Sequence, residues 1–358
     1  MKQLKHKFLL FSLLCLTILG SCKKDSVDDG SKPDPTAERK GIFILNQGKM
    51  GDNNSTLSYF DFNSATFTLN QFNKVNAREL GDTGNDAQVY GSKMYIIVNI
   101  SSTIEVINAL TAVSIKQIKV KNGTAERLPR SIVFYKNKAF ISSYDGTVAV
   151  MDTTSLEIEK YITVGRNPEE MAIANDKLYV ANSGGLSYET GNYDKTVSVI
   201  DLNTLTEIKK ITVVDNPRYV TKDQYGDVYV LSSGNYNGIN SSMAIIDSKT
   251  DLVKSQKEFL SGPMTISGDY AYIPSWEGTV KLFNVKTELL ERENFVSDGT
   301  KIKSPYAVAV DDISGEVYVT DAKTYDINGK VFRFNKTGKV IDSINAGISP
   351  WKVLFINK

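Results

Sequence analysis

Residues 177–184, KLYVANSG, and residues 196–201, TVSVID, together form the phrase that decides the fold. Its first half is an apolar run built around an aromatic residue, and its second half begins with Thr and ends on Asp. Variants of this phrase occur seven times along the chain. The aromatic residues are Phe43, Tyr95, Phe140, Tyr179, Tyr229, Tyr272 and Tyr318, and the second halves begin at Thr56, Thr103, Thr147, Thr196, Ser242, Thr279 and Lys330.

A third element precedes the aromatic run and usually begins with proline. The prolines are Pro129, Pro168, Pro217, Pro263, Pro305 and Pro350, and we place Asn85 at the equivalent position of the second unit. The 265 residues from Asn85 to Pro350 cover six intervals, so the mean period is about 44 residues. This is the length of one four-stranded propeller blade. The sequence therefore predicts an all-β, seven-bladed β-propeller over residues 41–358.

The two ends of this region complement each other. Residues 41–47, GIFILNQ, have the pattern of a second strand with no first strand before it, and residues 350–358, PWKVLFINK, have the pattern of a first strand with nothing after it. We therefore expect the C-terminal strand to complete the first blade, which removes the open sheet edges. The residues that end the second halves are predicted to start tight turns. They are Asp61, Asn108, Asp152, Asp201, Asp247, Asn284 and Asn335.

The first 22 residues have the features of a lipoprotein signal peptide. They contain three lysines, an apolar stretch too short to span a bilayer, and the sequence LGSC, which resembles a lipoprotein-processing box ending at Cys22. Residues 23–40 are polar and predict a flexible tether. Lys23, followed by Asp25 and Asp28, resembles the surface-export signals of Bacteroidetes lipoproteins. We expect a lipid-anchored protein of the outer membrane that faces the cell exterior.

Removal of this leader takes away the chain's only histidine and the thiol of Cys15, and Cys22 becomes a thioether. The remaining chain lacks the side chains of Ser-His-Asp triads, Cys-His dyads, histidine metal sites and disulfides. The 42 basic residues, less three leader lysines, stand against 41 acidic ones, which gives a net charge of −2. A nucleic-acid partner normally requires a basic surface. We therefore predict no catalytic residues, no metal, no cofactor and no nucleic-acid partner.

Propeller geometry predicts where a ligand would bind. The connections from fourth to first strand and from second to third strand emerge on one face around the central channel. The first set carries large and mostly different side chains just after each Pro-led start. These residues are Asp86, Arg130, Glu169, Arg218, Met264, Tyr306 and Trp351. A purely structural ring would favour small or repeated residues, although polar strand ends and a packed Trp351 would also account for the pattern.

The second set lies four residues after each framework aromatic. Its residues are Gln47, Asn99, Tyr144, Ser183, Ser233, Trp276 and Ala322. Three of these loops, at 182–195, 232–242 and 321–330, are long and rich in Gly, Asn and Tyr, a composition typical of binding clefts. The predicted ligand-binding residues are Asn46, Gln47, Asp86, Asn99, Arg130, Tyr144, Tyr188, Arg218, Tyr236, Trp276, Tyr306, Asp321, Tyr325 and Trp351. We expect a large neutral or zwitterionic ligand.

The phrases YVANSG, TVSVID and VYVTDA resemble the repeats of surface-layer and YncE-type seven-bladed propellers. The segments IFILNQG with STLSYFD, and GEVYVTDAKTYDINGKVFRF with GKVIDSI, are similar to the lipid-anchored propellers of Bacteroidetes that capture vitamin B12. This resemblance implies binding of a corrinoid and partnership with a TonB-dependent outer-membrane transporter. Carried over by residue, it touches Asn46, Gly48, Asp321, Ala322 and Tyr325.

Two other classes of function compete with corrinoid capture. A glycan- or peptide-binding surface propeller would use the same aromatic and Asn-rich loops. A lactonase or lyase would need an acid or base, for which Asp86, Glu169 and Asp321 are the candidates. The sequence shows no paired catalytic constellation, so we expect a binding protein and not an enzyme.

Overall fold

The computed structural model describes residues 38–260 and 262–358. It contains seven four-stranded antiparallel sheets that follow one another around a ring. The predicted all-β class and the predicted count of seven blades are therefore confirmed. The predicted leader 1–22 with Cys22, and residues 23–37 of the predicted tether, lie outside the described residues.

The blades are built from strands that run in chain order from the channel to the rim, except in blade one. Blade one contains β1 (Arg39–Asn46), β2 (Thr56–Asp61) and β3 (Thr66–Thr68), and a short helix, α1 (Gln71–Asn76), follows it. Blade two contains β4 (Gly84–Tyr90), β5 (Lys93–Val98), β6 (Thr103–Asn108) and β7 (Ser114–Lys119). A ribbon of β8 (Lys121–Asn122) and β9 (Ala125–Glu126) leads to blade three, which contains β10 (Pro129–Tyr135), β11 (Lys138–Ser143), β12 (Thr147–Asp152) and β13 (Ile158–Thr163).

The second half of the ring repeats this plan. Blade four contains β14 (Pro168–Ala174), β15 (Lys177–Asn182), β16 (Thr196–Asp201) and β17 (Thr206–Thr212), with a 3₁₀ turn at Gly185–Ser187. Blade five contains β18 (Pro217–Lys222), β19 (Asp227–Ser232), β20 (Ser242–Asp247) and β21 (Leu252–Glu258). Blade six contains β22 (Thr265–Ser267), β23 (Tyr270–Pro274), β24 (Val280–Asn284) and β25 (Leu289–Arg292). Blade seven contains β26 (Pro305–Val310), β27 (Val317–Asp321), β28 (Asn328–Phe334) and β29 (Val340–Ile348), and the chain ends in β30 (Pro350–Asn357).

The ring is closed by the last strand. β30 pairs antiparallel with β1, from Arg39 opposite Asn357 to Asn46 opposite Pro350. Blade one therefore has the order β3-β2-β1-β30, with the C-terminal strand innermost. The predicted closure is confirmed. The pairing covers the edge of β1 that would be open if β30 were absent.

The core consists of seven apolar layers, one between each pair of neighbouring blades. The seven framework aromatics are all buried in these layers. Three tyrosines also join their blade to the next through hydrogen bonds from the hydroxyl to a backbone carbonyl. Tyr95 donates to Thr153, Tyr179 to Ser248 and Tyr229 to Val285. Because buried hydroxyls need partners, this pairing explains why tyrosine is tolerated in the layers.

All seven Asp and Asn residues that were predicted to start tight turns do so. In each, the side-chain oxygen accepts a backbone N–H two residues later and a second one further along the turn. This bonding closes the turn after the third strand of each blade. The repeated Asp or Asn is therefore structural.

The predicted loops converge at one end of the ring, which we call the upper face. Asn46 is paired with both Thr56 and Pro350, so the loop after β1 and the start of β30 lie at the same end. In six blades, the residue after the second strand donates its N–H to the carbonyl of the residue just before the innermost strand. The pairs are Gln47 with Ser349, Asn99 with Thr83, Tyr144 with Leu128, Ser183 with Asn167, Ser233 with Asn216, and Ala322 with Ser304. This bond fixes the two predicted rings of side chains against each other.

Within the described residues, the structure has no helix that is both long and apolar enough to cross a membrane.

Truncation of the chain after Ser349 is expected to abolish cooperative thermal unfolding of the monomer. It removes β30 and exposes the edge of β1 and the core between blades seven and one. The measurement is circular dichroism during heating, combined with size-exclusion chromatography. A chain that lacks only the exposed Lys358 is the control and should melt like the full protein. Equal melting temperatures for the truncated and full chains would contradict this role of β30.

Candidate ligand-binding site on the upper face

In blade two, the predicted ring of residues that follow the Pro-led starts is shifted by one residue. Gly84 pairs with Val98 as Pro129 pairs with Ser143, so Gly84 and not Asn85 takes the position of the leading proline. The ring member of blade two is therefore Asn85, and the placement of Asp86 in this ring was wrong. Without a proline in this blade, the sequence did not mark the register. The Asn85 side chain bonds the backbone and guanidinium of Arg130, each at 2.6 Å.

Two guanidinium groups share one carboxylate on the upper face. Arg130 of blade three donates to Glu169 of blade four at 2.8 Å, and Arg218 of blade five lies 3.7 Å from the other carboxylate oxygen of Glu169. The Tyr144 hydroxyl donates to that same oxygen at 2.6 Å, and the Arg130 guanidinium lies 4.6 Å from the centre of the Tyr144 ring. We call these four residues the guanidinium cluster.

The ionisation of the cluster follows from its charges. Burial alone would raise the pKa of Glu169, but Arg130 and Arg218 outweigh it, and the pKa lies below its ordinary value. Burial would lower the pKa of Arg130, but the charge of Glu169, the nearby Tyr144 and the hydrogen bond to Glu169 together raise it. Burial, and then the charge of Glu169, raise the pKa of the Tyr144 hydroxyl. At neutral pH the cluster therefore carries two positive charges and one negative charge.

Aromatic rings form the opposite side of the same opening. Trp276 of blade six lies 6.5 Å from Tyr325, Tyr325 lies 5.4 Å from Tyr306, and Tyr306 lies 4.9 Å from Trp351, all measured between ring centres. The Tyr306 hydroxyl donates to Gln47 at 2.6 Å. We call Trp276, Tyr325, Tyr306 and Trp351 the aromatic wall. It runs from blade six through blade seven to the closing strand β30.

The wall ranges from fully exposed to buried. Trp276 is 76% exposed, whereas Trp351 is 7% exposed and its indole N–H is buried without a hydrogen-bond partner. Tyr325 and Tyr236 both have left-handed backbones, with φ of 64° and 57°. Bulky residues rarely adopt this conformation, although Leu156 and Leu205 also have it in the repeated turns of this protein. Tyr236 is 71% exposed and its ring centre lies 6.0 Å from that of Tyr193.

A second layer of charged groups lies one step deeper in the channel. Lys352 Nζ is 3.3 Å from Asp86 and 3.9 Å from Glu170. Asp86 also accepts hydrogen bonds from the Ser131 hydroxyl and from the N–H of Ile132. These residues border a channel cavity of about 240 Å³. We call Asp86, Glu170 and Lys352 the channel layer.

Burial raises the pKa of Glu170 to about 7, even though a quarter of its side-chain surface is open to the channel. Attraction by Lys352 opposes this rise, and the negative charge of Asp86 adds to it. Burial would lower the pKa of Lys352, but Asp86 and Glu170 outweigh burial and raise it. Glu170 is therefore the group of the channel layer whose charge changes near neutral pH.

Three predicted site residues have structural roles instead. Asn46 is buried, bonds Thr56 and Ser58 through its amide group and accepts the N–H of Gly347. Asn99 is buried and donates to the carbonyl of Pro129. Asp321 is buried and accepts the N–H groups of Ser304 and Lys323. These polar groups are already satisfied inside the protein, and contact between these residues and a ligand stays a prediction.

The remaining predicted residues fall into two groups. Gln47, Arg130, Tyr144, Arg218, Trp276, Tyr306, Tyr325 and Trp351 lie in or against the guanidinium cluster and the aromatic wall, while Tyr188 and Tyr236 are exposed on the long loops of blades four and five. Sequence reasoning missed Glu170, Lys352 and Tyr219, which follow ring positions directly. β-Bulges at these strand starts interrupt alternation, so consecutive residues can both face the channel.

A cavity of about 370 Å³ lies between blades five and six, beside the channel mouth. Its lining includes Arg218 and Tyr219 near the start of β18, Tyr236 from the blade-five loop, and Trp276 from the blade-six loop. The cavity thus joins one end of the guanidinium cluster to one end of the aromatic wall. Among the described residues, no group of three or more His, Cys, Asp or Glu side chains is placed to hold a metal ion.

Replacement of Glu170 by Gln is expected to stabilise the protein more at high pH than at low pH. Between its ordinary pKa of 4.5 and its raised pKa of about 7, Glu170 keeps a proton in the folded state that the unfolded state has lost. Stability from this group is therefore present below about pH 4.5 and is lost as the pH rises through 7. We expect a gain in melting temperature of about 3 °C at about pH 8.5 and little gain at about pH 5.

The exposed Glu157 is the matched control, since it lies on the rim of blade three. Glu157→Gln should change the melting temperature by a similar small amount at both pH values. A larger gain for Glu170→Gln at low pH than at high pH would contradict the raised pKa.

Comparisons of the fold find similar structures in proteins of diverse kinds. The chain is similar to a quinoprotein alcohol dehydrogenase-like protein from Bacteroides thetaiotaomicron, with 18% identity, a TM-score of 0.63, and coverage of 88% of this chain and 78% of that one. It is similar to hydrazine synthase of Kuenenia stuttgartiensis, with 15% identity, a TM-score of 0.59, and coverage of 73% and 85%. It is also similar to the computationally designed protein Ika8, with 14% identity, a TM-score of 0.55, and coverage of 88% and 90%. At these identities the likeness shows the fold alone.

Among curated proteins, none shows significant sequence similarity to this chain. The family comparison is more specific, because residues 40–349 match a domain of unknown function, DUF5074. The match begins in β1 and ends at the residue before β30, and so includes every upper-face loop described above. The chain belongs to the DUF5074 family.

Proposed function

We propose that this protein is a ligand-binding propeller that captures a corrinoid in the cup between the guanidinium cluster and the aromatic wall. The observation that carries the proposal is the convergence of these two groups of side chains on one end of the channel. They come from blades three to seven and from β30, yet they surround one opening. Large ligands bind in such concave sites through apolar surfaces and a few fixed polar groups.

The contrast between scaffold and ring supports this function. The backbone bond between the two loops is the same in six blades, while the side chains that it positions differ from blade to blade. Packing would not demand an exposed tryptophan such as Trp276 at these sites. A binding surface that must contact one asymmetric ligand would require such differences.

The choice of a corrinoid rests on the resemblance to propellers that capture vitamin B12. Of the five residues that carry this resemblance, Tyr325 belongs to the aromatic wall, whereas Asn46 and Asp321 hold the loops. The resemblance therefore supports a shared loop framework more strongly than a shared set of ligand contacts. A corrinoid suits the cup because it combines a large ring system with many amide groups, which the tyrosine hydroxyls and Gln47 can bond.

A glycan is the second candidate ligand, and the exposure of Trp276 favours it. This indole lies at the rim with Tyr325 beside it, so the two rings form a surface accessible to an extended ligand. Aromatic faces of this kind offer contact area at low entropic cost. Titration with cyanocobalamin separates the two candidates, because a glycan-specific cup would give no heat of binding with it.

We propose binding and not catalysis for the three carboxylates that an enzyme would have used. Asp321 caps backbone N–H groups, and Glu169 is paired with two guanidinium groups. Asp86 is paired with Lys352 and accepts three further hydrogen bonds. A general acid or base needs a free proton site within reach of the substrate. These contacts leave each carboxylate engaged in the scaffold.

We further propose that a lipid on Cys22 anchors the propeller to the outer membrane, facing the exterior, where it would pass its ligand to a TonB-dependent transporter. The signal-peptide pattern of residues 1–22 and the polar segment after it support the anchor. The transporter is proposed from the resemblance. It is consistent with the size of a corrinoid, which is too large for passive passage and would need a receptor in the membrane.

Replacement of Trp276 by Ala is expected to weaken cyanocobalamin binding by about 30-fold, or about 2 kcal/mol, because a large aromatic contact would be lost. The measurement is isothermal titration calorimetry, with the melting temperature as a check on folding. Tyr225→Ala is the matched control, since Tyr225 is an exposed aromatic in a loop on the opposite face. It should leave the affinity unchanged. Equal losses in both variants would place the site elsewhere, and the absence of heat from the unmutated protein would reject the corrinoid.

Replacement of Cys22 by Ala is expected to move the protein from the membrane fraction to the soluble fraction, because it removes the site of lipid attachment. Cell fractionation followed by immunoblotting measures the shift. Cys15→Ala, in the apolar stretch of the leader, is the control and should leave the protein in the membrane fraction. Retention of the Cys22 variant in washed outer membranes would show that protein contacts hold it there.

A further inference from the structure

We infer that the cavity between blades five and six is an anion subsite, which takes a carboxylate or phosphate group attached to an aromatic or other planar apolar part of a ligand. This inference deepens the proposed function and rests on it, since it assigns a chemical class to one end of the cup. The cavity is lined by Arg218, Tyr219, Tyr236, Asn240, Leu260 and Trp276, among others. Arg218 is the only charged side chain among the described residues of this lining.

The charge of Arg218 is incompletely neutralised by the protein. Its contact with Glu169 is 3.7 Å long, beyond the range of a normal hydrogen bond. Both oxygens of Glu169 already accept shorter bonds, from Arg130 at 2.8 Å and from the Tyr144 hydroxyl at 2.6 Å. The guanidinium cluster has one more positive charge than negative. An added anion at Arg218 would restore neutrality without displacing an existing partner.

The partial burial and the geometry of the Arg218 guanidinium favour binding of an anion. Its side chain is 35% exposed, and the exposed part borders the cavity. Partial burial strengthens the attraction between a guanidinium and an anion, because fewer water molecules screen it. A guanidinium also presents paired N–H groups that match the oxygen spacing of carboxylates and phosphates. The Ser241 hydroxyl at the cavity wall adds a neutral polar group, whereas the Asn240 amide there donates to the exposed Glu258 carboxylate at 2.9 Å.

The surroundings specify the rest of the ligand. Tyr236 and Trp276 stand on either side of the cavity and are 71% and 76% exposed, so each has an open ring face. Tyr236 holds a left-handed backbone to reach this position. Leu260 and Ile239 supply apolar contacts. A flat apolar group would cover these faces, while its acidic substituent meets Arg218. A neutral polar ligand would leave the charge unmatched, and a free inorganic anion would leave the rings exposed.

The direct test compares small probes of equal shape and different charge. We expect 2-naphthoate and 2-naphthyl phosphate to bind at least about tenfold more tightly than neutral 2-naphthamide, as measured by ligand-observed NMR titration. Arg218→Gln should abolish this preference, since it keeps a polar side chain and removes the charge. Arg292→Gln is the matched control, because Arg292 is an exposed arginine on the rim strand of blade six, and it should retain the preference.

Each outcome decides the inference. Equal affinities for the acid and the amide, survival of the preference in Arg218→Gln, or no binding of any probe at about 1 mM would overturn it. Should Arg218→Gln fail to fold, the comparison of probes on the unmutated protein still decides, together with Arg218→Lys, which keeps the charge. A preference for one of the two acids over the other identifies carboxylate or phosphate as the natural group.

A second pair of ligands separates this inference from the proposed function. Cyanocobalamin carries a phosphodiester in its nucleotide loop, and dicyanocobinamide lacks that loop. If both inferences are correct, the protein binds cyanocobalamin more tightly, and Arg218→Gln reduces this difference. If both corrinoids bind equally, the anion subsite is overturned while corrinoid capture stands. If neither binds but the naphthalene acids still do, corrinoid capture fails while the anion subsite stands.

Discussion

The antiparallel pairing of β30 with β1 is the contact on which the rest of the structure depends. It joins the two ends of the described chain over the length of β1 and turns a row of blades into a ring. Each apolar layer lies between two blades, so the layer between blades seven and one exists only because the ring is closed. Closure also completes the upper face. Trp351 and Lys352 belong to β30, and they contribute to the aromatic wall and the channel layer respectively.

The features that hold the blades together are repeated around the ring, whereas the side chains at the channel mouth differ from blade to blade. Buried aromatics, Asx-type turns and the bond between the two upper loops recur because each blade faces the same packing problem. The side chains that these features present at the channel mouth are free of that constraint. The cup has cations on one side and aromatic rings on the other, with Tyr219 and Trp276 close to both. A symmetric scaffold thus displays an asymmetric surface, as the proposed binding of one specific ligand requires.

The sequence predicted the repeated features better than the specific ones. Seven copies of one phrase, with a split first unit, were sufficient for the blade count and the closing strand. The register in blade two was missed because Gly84 replaces the leading proline there, and a one-residue shift changed the predicted ring member from Asn85 to Asp86. Asn46 and Asp321 hold loops in place, a role that the sequence did not reveal because a polar residue at a strand end looks the same in sequence whether it faces a ligand or caps a loop. The sharing of Glu169 by two arginines depends on contacts between blades, which no local pattern contains.

The central claim is that ligand binding occurs on the upper face, and hydrogen–deuterium exchange with and without saturating cyanocobalamin tests it most directly. Backbone amides exchange more slowly where a ligand restricts local opening. The account predicts slower exchange in the loops at residues 233–241 and 322–327, which carry Tyr236 and Tyr325, and unchanged exchange in the opposite-face turns at residues 201–206 and 247–252. Protection of the opposite-face turns, with the upper loops unchanged, would contradict it.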